Sequence, residues 1–514
     1  MNLLHWARIA AAAILTAMAV PALSPAQDQF GSIPTGAQEV SPNVSAARGR
    51  AYFSLDPATN RLFYRVEHNV AGANAASIHQ AAVGVNGPVI FPLTIVSSTE
   101  IRGATPPLTA AQRLTLFQGG YYINIQSPAF PAGEIRAQIT KTFVRHFTAI
   151  LNGANEVPPS GSPGTGIGEV TLHVPENVLT IRLQATGLTG PPQAAHIHQA
   201  AVGVNGPVIM DLAPLQIPAT ARWCGVTAPL TAAQVTALLG SGLYFNIHTP
   251  AFPGGEIRGQ LIPTKESFVA QIGGAQEVPP SGSASTGFGS FTFDPASSTV
   301  TYNVTWNGLG GTMAQVHTGF PGQNGASLFG LAGPPNGPWA GVSAALSEAS
   351  ITALFTQGLY VNIQSGAFPG GEARDQLLQN GARYGFAGNT SAGNLRRILR
   401  IEDWGAPTLS NPYNIRLFDT LPGAFSSLAY SENLFATPLE LTFVPMPGHY
   451  LFGNPLAGYT APVADPSGFT ELNLVIPPLT ALISQDFYFQ WFSFDPGANS
   501  AGLVTSDALR TIIQ

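Results

Sequence analysis

The sequence predicts an all-β protein in which one β-sandwich or β-barrel module occurs three times in tandem, each copy with one short helix, followed by a C-terminal β-sandwich. The first observation is a repeat: residues 75–90 recur almost letter for letter as 194–209, and a diverged copy occupies 314–326. A shared histidine recurs at an interval of 119 residues, at positions 79, 198 and 317, and such an interval is the length of a domain. The second is a series of short alternating apolar and polar runs between turns rich in glycine and proline, of which the chain has 56 and 44.

Residues 1–26 have the pattern of a secretory signal peptide. Arg8 supplies the basic start, residues 9–20 form a short apolar run, and residues 24–26 (Ser-Pro-Ala) offer a small-residue cleavage site. The apolar run is too short for a membrane-spanning helix, which needs about 20 apolar residues. We therefore expect a mature chain that starts near Gln27, has no transmembrane segment and is secreted, either extracellular or periplasmic.

The composition excludes several classes of partner and of stabilising bond. Charged residues make up only 9% of the chain, the net charge is −6, and Lys141 and Lys265 are the only lysines. A chain so poor in basic residues is not expected to bind nucleic acid or an anionic membrane surface. Cys224 is the only cysteine, so no intrachain disulfide can form, and we expect it to be buried and inert.

The first module illustrates the short strands and the one short helix that all three are expected to share. Residues 49–57 and 61–67 alternate as two strands of a hairpin, and residues 121–126 form a later strand. Between them, Thr109 and Gln112 occupy the two positions of a helix capping box. The predicted boundaries of the three modules are 28–141, 145–262 and 266–378.

Three groups of motifs in these modules resemble the CHRD family, which is named after chordin. In the second module they are residues 153–159 (Gly-Ala-Asn-Glu-Val-Pro-Pro), the His-Ile-His and Asn-Gly-Pro-Val pair within 196–208, and the Tyr-Phe-Asn-Ile-His of 244–248 with the Phe-Pro-Gly-Gly-Glu-Ile-Arg-Gly-Gln-Leu of 252–261. The resemblance covers about two thirds of the chain and implies extracellular β modules in a secreted bacterial protein. It does not imply an enzyme.

Residues 381–514 are unlike the modules and are expected to form a separate domain. Segments 395–402 and 470–476 alternate as strands, and 486–494 is a denser aromatic strand. This region resembles the β-sandwich that ends many secreted bacterial proteins, a resemblance that implies no defined function.

The second module carries a candidate metal site. His196 and His198 are two residues apart on a predicted strand, so their side chains lie on the same face. If the strand that ends in His248 is its neighbour, three imidazoles converge, which suits copper or zinc. The ring nitrogens that do not bind the metal need acceptors, and Glu256 is the candidate.

A structural interpretation of these histidines stays open beside the metal site. Only one histidine of the three is shared by all modules, and it could form a buried pair with the shared asparagine of the later strand, holding a loop. The ligand count of the other modules is lower, because their corresponding positions are Ser77, His79 and Gln126 in the first and Gln315, His317 and Gln364 in the third. The shared asparagines are Asn124, Asn246 and Asn362.

Two sets of repeated glutamates also invite a catalytic interpretation. Paired carboxylates about 5–10 Å apart could hydrolyse glycosides, but nothing in the sequence brings the two sets together. A glutamate–arginine pair or a turn cap is the favoured role. The sets are Glu39, Glu156 and Glu277, and Glu134, Glu256 and Glu372, the second set preceding Arg136, Arg258 and Arg374 by two residues.

Two functions follow as hypotheses. The first is an exported, non-catalytic protein of the cell surface or extracellular matrix that binds an unknown extracellular protein or glycan, with a copper site in the second module. It is favoured because the modules repeat while no common catalytic motif is present. The second is a metal-dependent redox enzyme resembling superoxide dismutase, although the further metal ligands and the disulfide of that family are missing.

Overall fold

The computed structural model describes residues 28–57, 59–308 and 310–380, together with the C-terminal strands given below and residues 424, 425, 464 and 469. Over these residues the protein is all-β, as predicted, with three α-helices of eight residues each. None of the helices in the described part of the chain is long and apolar enough to cross a membrane. The predicted signal peptide, residues 1–26, lies outside the described residues.

The first module begins with a strand hairpin and ends with a second one that follows its helix. Its elements are β1 (Asp28–Ser32), β2 (Gly49–Asp56), β3 (Arg61–His68), β4 (Ala75–Gln80), β5 (Val89–Pro92), β6 (Ile95–Ser97), β7 (Glu100–Ala104), α1 (Ala110–Phe117), β8 (Tyr121–Ser127), β9 (Phe130–Gln138) and β10 (Thr140–Lys141).

The next two modules repeat this plan with one strand fewer before the helix. The second contains β11 (Phe143–Asn152), β12 (Thr165–Val174), β13 (Val178–Thr186), β14 (Ala194–Gln199), β15 (Val208–Asp211), β16 (Arg222–Val226), α2 (Ala232–Leu239), β17 (Leu243–Thr249), β18 (Phe252–Gln260) and β19 (Ile262–Pro263). The third contains β20 (Glu266–Gly273), β21 (Thr286–Asp294), β22 (Thr299–Trp306), β23 (Gly311–Thr318), β24 (Ser327–Gly330), β25 (Trp339–Val342), α3 (Glu348–Phe355), β26 (Leu359–Ser365), β27 (Ala373–Gln376) and β28 (Leu378–Gln379).

The strands of each module form one curled antiparallel arrangement around a single core. In the second module the order is β15-β14-β17-β18-β11-β12-β13-β16, with β19 added on β11. Strands β18 and β11 share only the pair Asn152 and Arg258, so the sheet divides at this seam into two halves that face each other. The third module has the same order, and in the first the two halves are separate sheets.

The strand period decides which residues enter that core and which lie on the outer face. In β14 the side chains of Ala195 and Ile197 are fully buried among the apolar residues of the second module. His196 and His198 alternate with them and therefore lie on the opposite face. The outer face of β14 and its neighbours is where the candidate site is built.

The predicted capping box is confirmed at the first helix. Thr109 accepts a hydrogen bond from the Gln112 backbone N–H, and the Gln112 side chain accepts one from the Thr109 backbone N–H. The second module has the same box, formed by Thr231 and Gln234. These caps satisfy backbone donors that a short helix would otherwise leave open.

A buried glutamate ties the opening loop of each module to the outer face of the sheet. Asn362 donates from Nδ2 to Glu277 at 3.1 Å, and Asn124 donates to Glu39 at 3.4 Å. In the second module Glu156 and Asn246 make the same pair. Burial raises the pKa of Glu39 and of Glu156 to about 7, against the lowering effect of a nearby arginine.

The strands beyond residue 380 are also antiparallel and lie in separate sheets of five, three and two strands. The predicted strands near residues 470 and 486 are present, and the aromatic strand has the bounds expected for it. These elements are β29 (Arg383–Tyr384), β30 (Arg400–Trp404), β31 (Pro412–Phe418), β32 (Ser426–Ser431), β33 (Leu434–Glu440), β34 (Tyr450–Gly453), β35 (Ala457–Thr460), β36 (Thr470–Val475), β37 (Asp486–Phe494) and β38 (Leu503–Ile512).

Gly255 is required where the Glu156–Asn246 pair approaches the backbone. Its φ is +132°, and a Cβ placed there would lie 2.5 Å from Asn246 Oδ1 and 2.8 Å from Glu156 Oε1. We expect Gly255→Ala to lower the free energy of unfolding by about 1–3 kcal/mol. The control is Gly254→Ala, because a Cβ at Gly254 meets nothing within 4 Å. Chemical denaturation of both variants measures the difference, and equal stability of the two would contradict the packing described here.

The raised pKa of Glu156 predicts a pH-dependent stability. The folded state holds the proton up to about pH 7, whereas the unfolded chain releases it near 4.5. The contribution of the Glu156 proton to the free energy of unfolding is therefore fully present below pH 4.5 and is lost as the pH rises through about 7. Glu156→Gln stays neutral, so its melting temperature relative to the wild type should rise between pH 5 and pH 8.

The control for this experiment is Glu256→Gln. The Glu256 carboxylate accepts hydrogen bonds that lower its pKa, so it is charged in both states over that range of pH. The difference between this variant and the wild type should stay constant from pH 5 to pH 8. If the melting temperatures of Glu156→Gln and of the wild type differed by the same amount at every pH, the Glu156 proton would not contribute to the pH dependence of stability.

Candidate metal centre

The three predicted histidines of the second module lie together on the outer face of β14 and β17. The register between the two strands pairs His196 with Asn246 and Ala194 with His248, which places His248 diagonally next to His196. One ligand nitrogen from each of His196, His198 and His248 lies within 4.8 Å of the other two. Among the described residues, no other group of three or more histidine, cysteine or acidic side chains meets this criterion.

Backbone carbonyls fix the tautomers of two of the rings. His198 donates from Nδ1 to the carbonyl of Gly206 at 2.9 Å, and His248 donates from Nδ1 to the carbonyl of Pro253 at 3.0 Å. Each ring therefore presents the lone pair of Nε2 to the cluster. The Nε2 of His198 is buried and has no hydrogen-bond partner among the described residues.

The third ring, that of His196, bridges the cluster and an acidic side chain. Its Nδ1 lies 3.1 Å from the Nε2 of His248, and since that Nε2 is an acceptor, His196 donates there. Its Nε2 lies 3.9 Å from Asp211 Oδ1. A change of tautomer would move the proton of His196 towards Asp211 and free Nδ1 as a third ligand atom.

Burial favours the neutral form of two of the three rings. Desolvation lowers the pKa of His198 and of His248 below the ordinary histidine value, and the neighbouring rings lower both further. Neutral imidazole is the form that binds a metal ion.

The residues fit a transition-metal ion. Nitrogens bound to one ion at about 2 Å lie about 3–4 Å apart, so small side-chain rotations would bring all three into range. The buried Nε2 of the shared histidine lacks a partner in the third module as well as in the second, so the observation that favours a ligand is the convergence of the three rings, which occurs in the second module. An all-imidazole set with open positions suits copper or zinc.

The prediction that Glu256 orients one of these rings is wrong. The Glu256 carboxylate accepts hydrogen bonds from Ser162 Oγ at 2.6 Å, from Thr189 N and Oγ1 at 2.8 Å, and from Thr249 Oγ1. A register shift between Ile247 and Thr249 turns the end of β17 at this point. Glu256 therefore closes the seam of the sandwich instead of facing the histidines.

Asp211 is the acidic residue that the sequence analysis missed. It pairs directly with His196 across β14 and β15, and its side chain is largely exposed. The cross-strand counterparts in the other modules are Pro92 and Gly330, neither of which has an acidic side chain. The acid is therefore confined to the module that also has the extra histidines, a coincidence visible in the sequence only once the strand register is known.

The histidine shared by all three modules has a structural role, but its partner is not the shared asparagine. His79, His198 and His317 each donate from Nδ1 to a glycine carbonyl eight residues later. In the second module the histidine ring stacks on the ring of Tyr244, with the two centroids 4.9 Å apart. The Arg258 guanidinium lies over the tyrosine ring, 3.5 Å from its centroid. The same stack forms in the other two modules.

The two sets of glutamates have separate roles. Members of the first set pair with the shared asparagines, as described for Glu156. Members of the second accept hydrogen bonds from hydroxyl groups at the seam: Glu134 from Ser45 and Ser127, and Glu372 from Ser283. The arginine that follows each glutamate of the second set by two residues interacts electrostatically with the glutamate of the first set in the same module. A glutamate and an arginine therefore do lie near each other, but the glutamate belongs to the first set.

Among solved structures, the chain is similar to a protein described as "Biofilm associated protein - BSP domain", with 9% sequence identity over 97% of this chain and 98% of that one and a TM-score of 0.14. It is also similar to a structure titled "Structural insight into host cell surface retention of a 1.5-MDa bacterial ice-binding adhesin", with 10% identity over 66% and 91% of the two chains and a TM-score of 0.13. TM-scores this low carry no conclusion about fold or function. A comparison with curated proteins found no match.

The sequence pattern of one family, described as the CHRD domain, matches residues 30–139, 147–261 and 268–377. These segments contain the shared histidine, the shared asparagine and both sets of glutamates in each copy. Since the three matches together cover well over half of the protein, the chain belongs to the CHRD family.

Proposed function

We propose that this protein is an exported, non-catalytic binding protein of the cell surface or extracellular matrix, and that its second module holds one transition-metal ion. The signal-peptide pattern of residues 1–26 and membership of the CHRD family support the location. The observation that carries the metal site is the convergence of His196, His198 and His248 in one module of three.

Copper is the preferred ion, with zinc next. The three ligands are imidazoles, and the affinity of nitrogen sites for divalent ions rises to a maximum at Cu(II). His198 and His248 would bind through Nε2 and His196 through Nδ1, with Asp211 accepting the remaining proton of His196. The open coordination positions leave room for water or for a group of the partner.

The partner is an extracellular protein or glycan that the modules engage together. Three copies of one module in a chain raise the effective concentration for a ligand with repeated features, so weak contacts add to a stable attachment. Copper-dependent superoxide turnover that disappears in His198→Ala would replace this proposal with the redox alternative.

The full mature chain should bind about one Cu(II) ion, because only the second module has three histidine ligands. Replacing His196 and His248 together by alanine should abolish this binding, since one imidazole remains. Isothermal titration gives the stoichiometry, and electron paramagnetic resonance reports the number of nitrogen ligands.

The matched control carries His79→Ala and His317→Ala, which remove the shared histidine from the other two modules. It should retain the full stoichiometry. Three ions per chain, or none, would contradict a site confined to the second module, as would equal losses in the control and in the double variant of the second module.

Copper binding should persist below the pH at which free histidine becomes protonated. The pKa values of His198 and His248 are lowered by burial, so at these two ligands protons compete with the metal only at a lower pH than the ordinary value of 6.5. The measurement is the apparent affinity from pH 7.5 to pH 5, beside an unstructured peptide with three histidines. A midpoint for the protein at or above that of the peptide would show that burial does not protect the site.

A further inference from the structure

Two modules expose a loop of valines next to the shared histidine. In the second module the valine loop is residues 200–208, and the side chains of Val202, Val204 and Val208 are 70%, 53% and 50% exposed. The valine loop of the first module, residues 81–89, exposes three valines at the same positions. Apolar side chains clustered in this way on a surface mark an interaction site more often than scattered ones.

Buried polar groups hold these loops in a fixed shape. In the second module Arg258 donates to the carbonyl of Val204 at 2.7 Å and to Asn205 Oδ1 at 3.1 Å, while Gln260 donates to the carbonyl of Ala200 at 2.9 Å. His198 holds the carbonyl of Gly206. A loop fixed in advance loses little conformational entropy when a partner binds.

The corresponding loop of the third module has no valines and contacts another module of the same chain. That loop, residues 319–327, carries Phe320 in place of Ala201. Phe320 packs against the apolar core of the first module, with its ring 6.3 Å from that of Phe117, the last residue of α1. One copy of the loop therefore already contacts the end of another module's helix within this chain.

The last residue of each of the three described helices is apolar, and it is exposed to solvent only in the second module. Phe117 is buried under Phe320, and Phe355 is buried under Phe143 and the guanidinium of Arg145. The corresponding residue of α2, Leu239, is 39% exposed. The described chain thus has two exposed valine loops and one exposed helix end.

We propose that the valine loops dock onto the Leu239 helix end of a second copy of this chain. The occupant follows from the Phe320–Phe117 contact, in which the corresponding loop of the third module covers the corresponding helix end of the first. Both surfaces are apolar, so their association removes valine and leucine side chains from water. This inference concerns self-association and does not depend on the metal site.

Because the two surfaces differ, each copy can give a loop to one neighbour and a helix end to another. Such heterologous contacts extend into chains unless the geometry closes a ring. A small apolar contact of this kind is weak for one pair of molecules. It becomes effective where copies are concentrated, as they would be on a surface.

The test is sedimentation velocity of the mature chain over a wide range of concentration, in EDTA so that a bridging metal cannot cause association. We expect reversible self-association. Val83→Asp with Val202→Asp should weaken it about tenfold or more, which is about 1.4 kcal/mol, and Leu239→Glu should do the same. Val342→Asp, at a valine 60% exposed outside the loops, is the control and should associate like the wild type.

A mixing experiment separates loss of the contact from loss of folding. The loop variant keeps its helix end and the Leu239 variant keeps both of its loops. At concentrations where each variant alone is monomeric, a mixture should therefore form complexes of one Leu239 variant with one or two loop variants. A wild type that stays monomeric throughout, association unchanged in both variants, or a mixture without pairs would overturn the proposal. Copper binding is measured separately, so either proposal can fail without the other.

Discussion

The register between β14 and β17 is the constraint on which the candidate site depends. Ile197 lies opposite Phe245, and both side chains are buried in the core of the second module. Given the period of two along a strand, this pairing sends His196, His198 and His248 to the outer face. A slip of one residue would expose the two core side chains and bury the imidazoles, so the apolar packing also fixes the site.

The polar groups of the outer face divide into those that repeat and those that do not. The stack of histidine, tyrosine and arginine occurs in all three modules, as does the glutamate–asparagine pair, and both hold loops against the sheet. His196, Asp211 and His248 occur only in the second. They stand at positions where the other modules have neutral side chains, so metal-binding chemistry could arise there without disturbing the repeated scaffold.

Strand periodicity and capping signals made much of the module predictable, including the Thr109 cap and the shared face of His196 and His198. Pairing was harder to predict. Glu256 was expected to accept a hydrogen bond from one of the histidine rings, but beyond the register shift at the end of β17 its carboxylate accepts from Ser162, Thr189 and Thr249 at the seam. Asp211 was missed because its role depends on which short strand covers the free edge of β14, and local sequence does not determine that.

The proposed metal site and the valine loop of the second module share one residue. His198 donates from Nδ1 to the Gly206 carbonyl of the loop and presents Nε2 to the histidine cluster. A metal ion at Nε2 would polarise the ring and strengthen the hydrogen bond that Nδ1 donates. If loop docking in turn depends on that hydrogen bond, the coupling must act equally in both directions, because linkage between two binding sites is reciprocal. In the first module, where Ser77 lies at Nε2 of the shared histidine, the same loop is anchored without this link to a metal site.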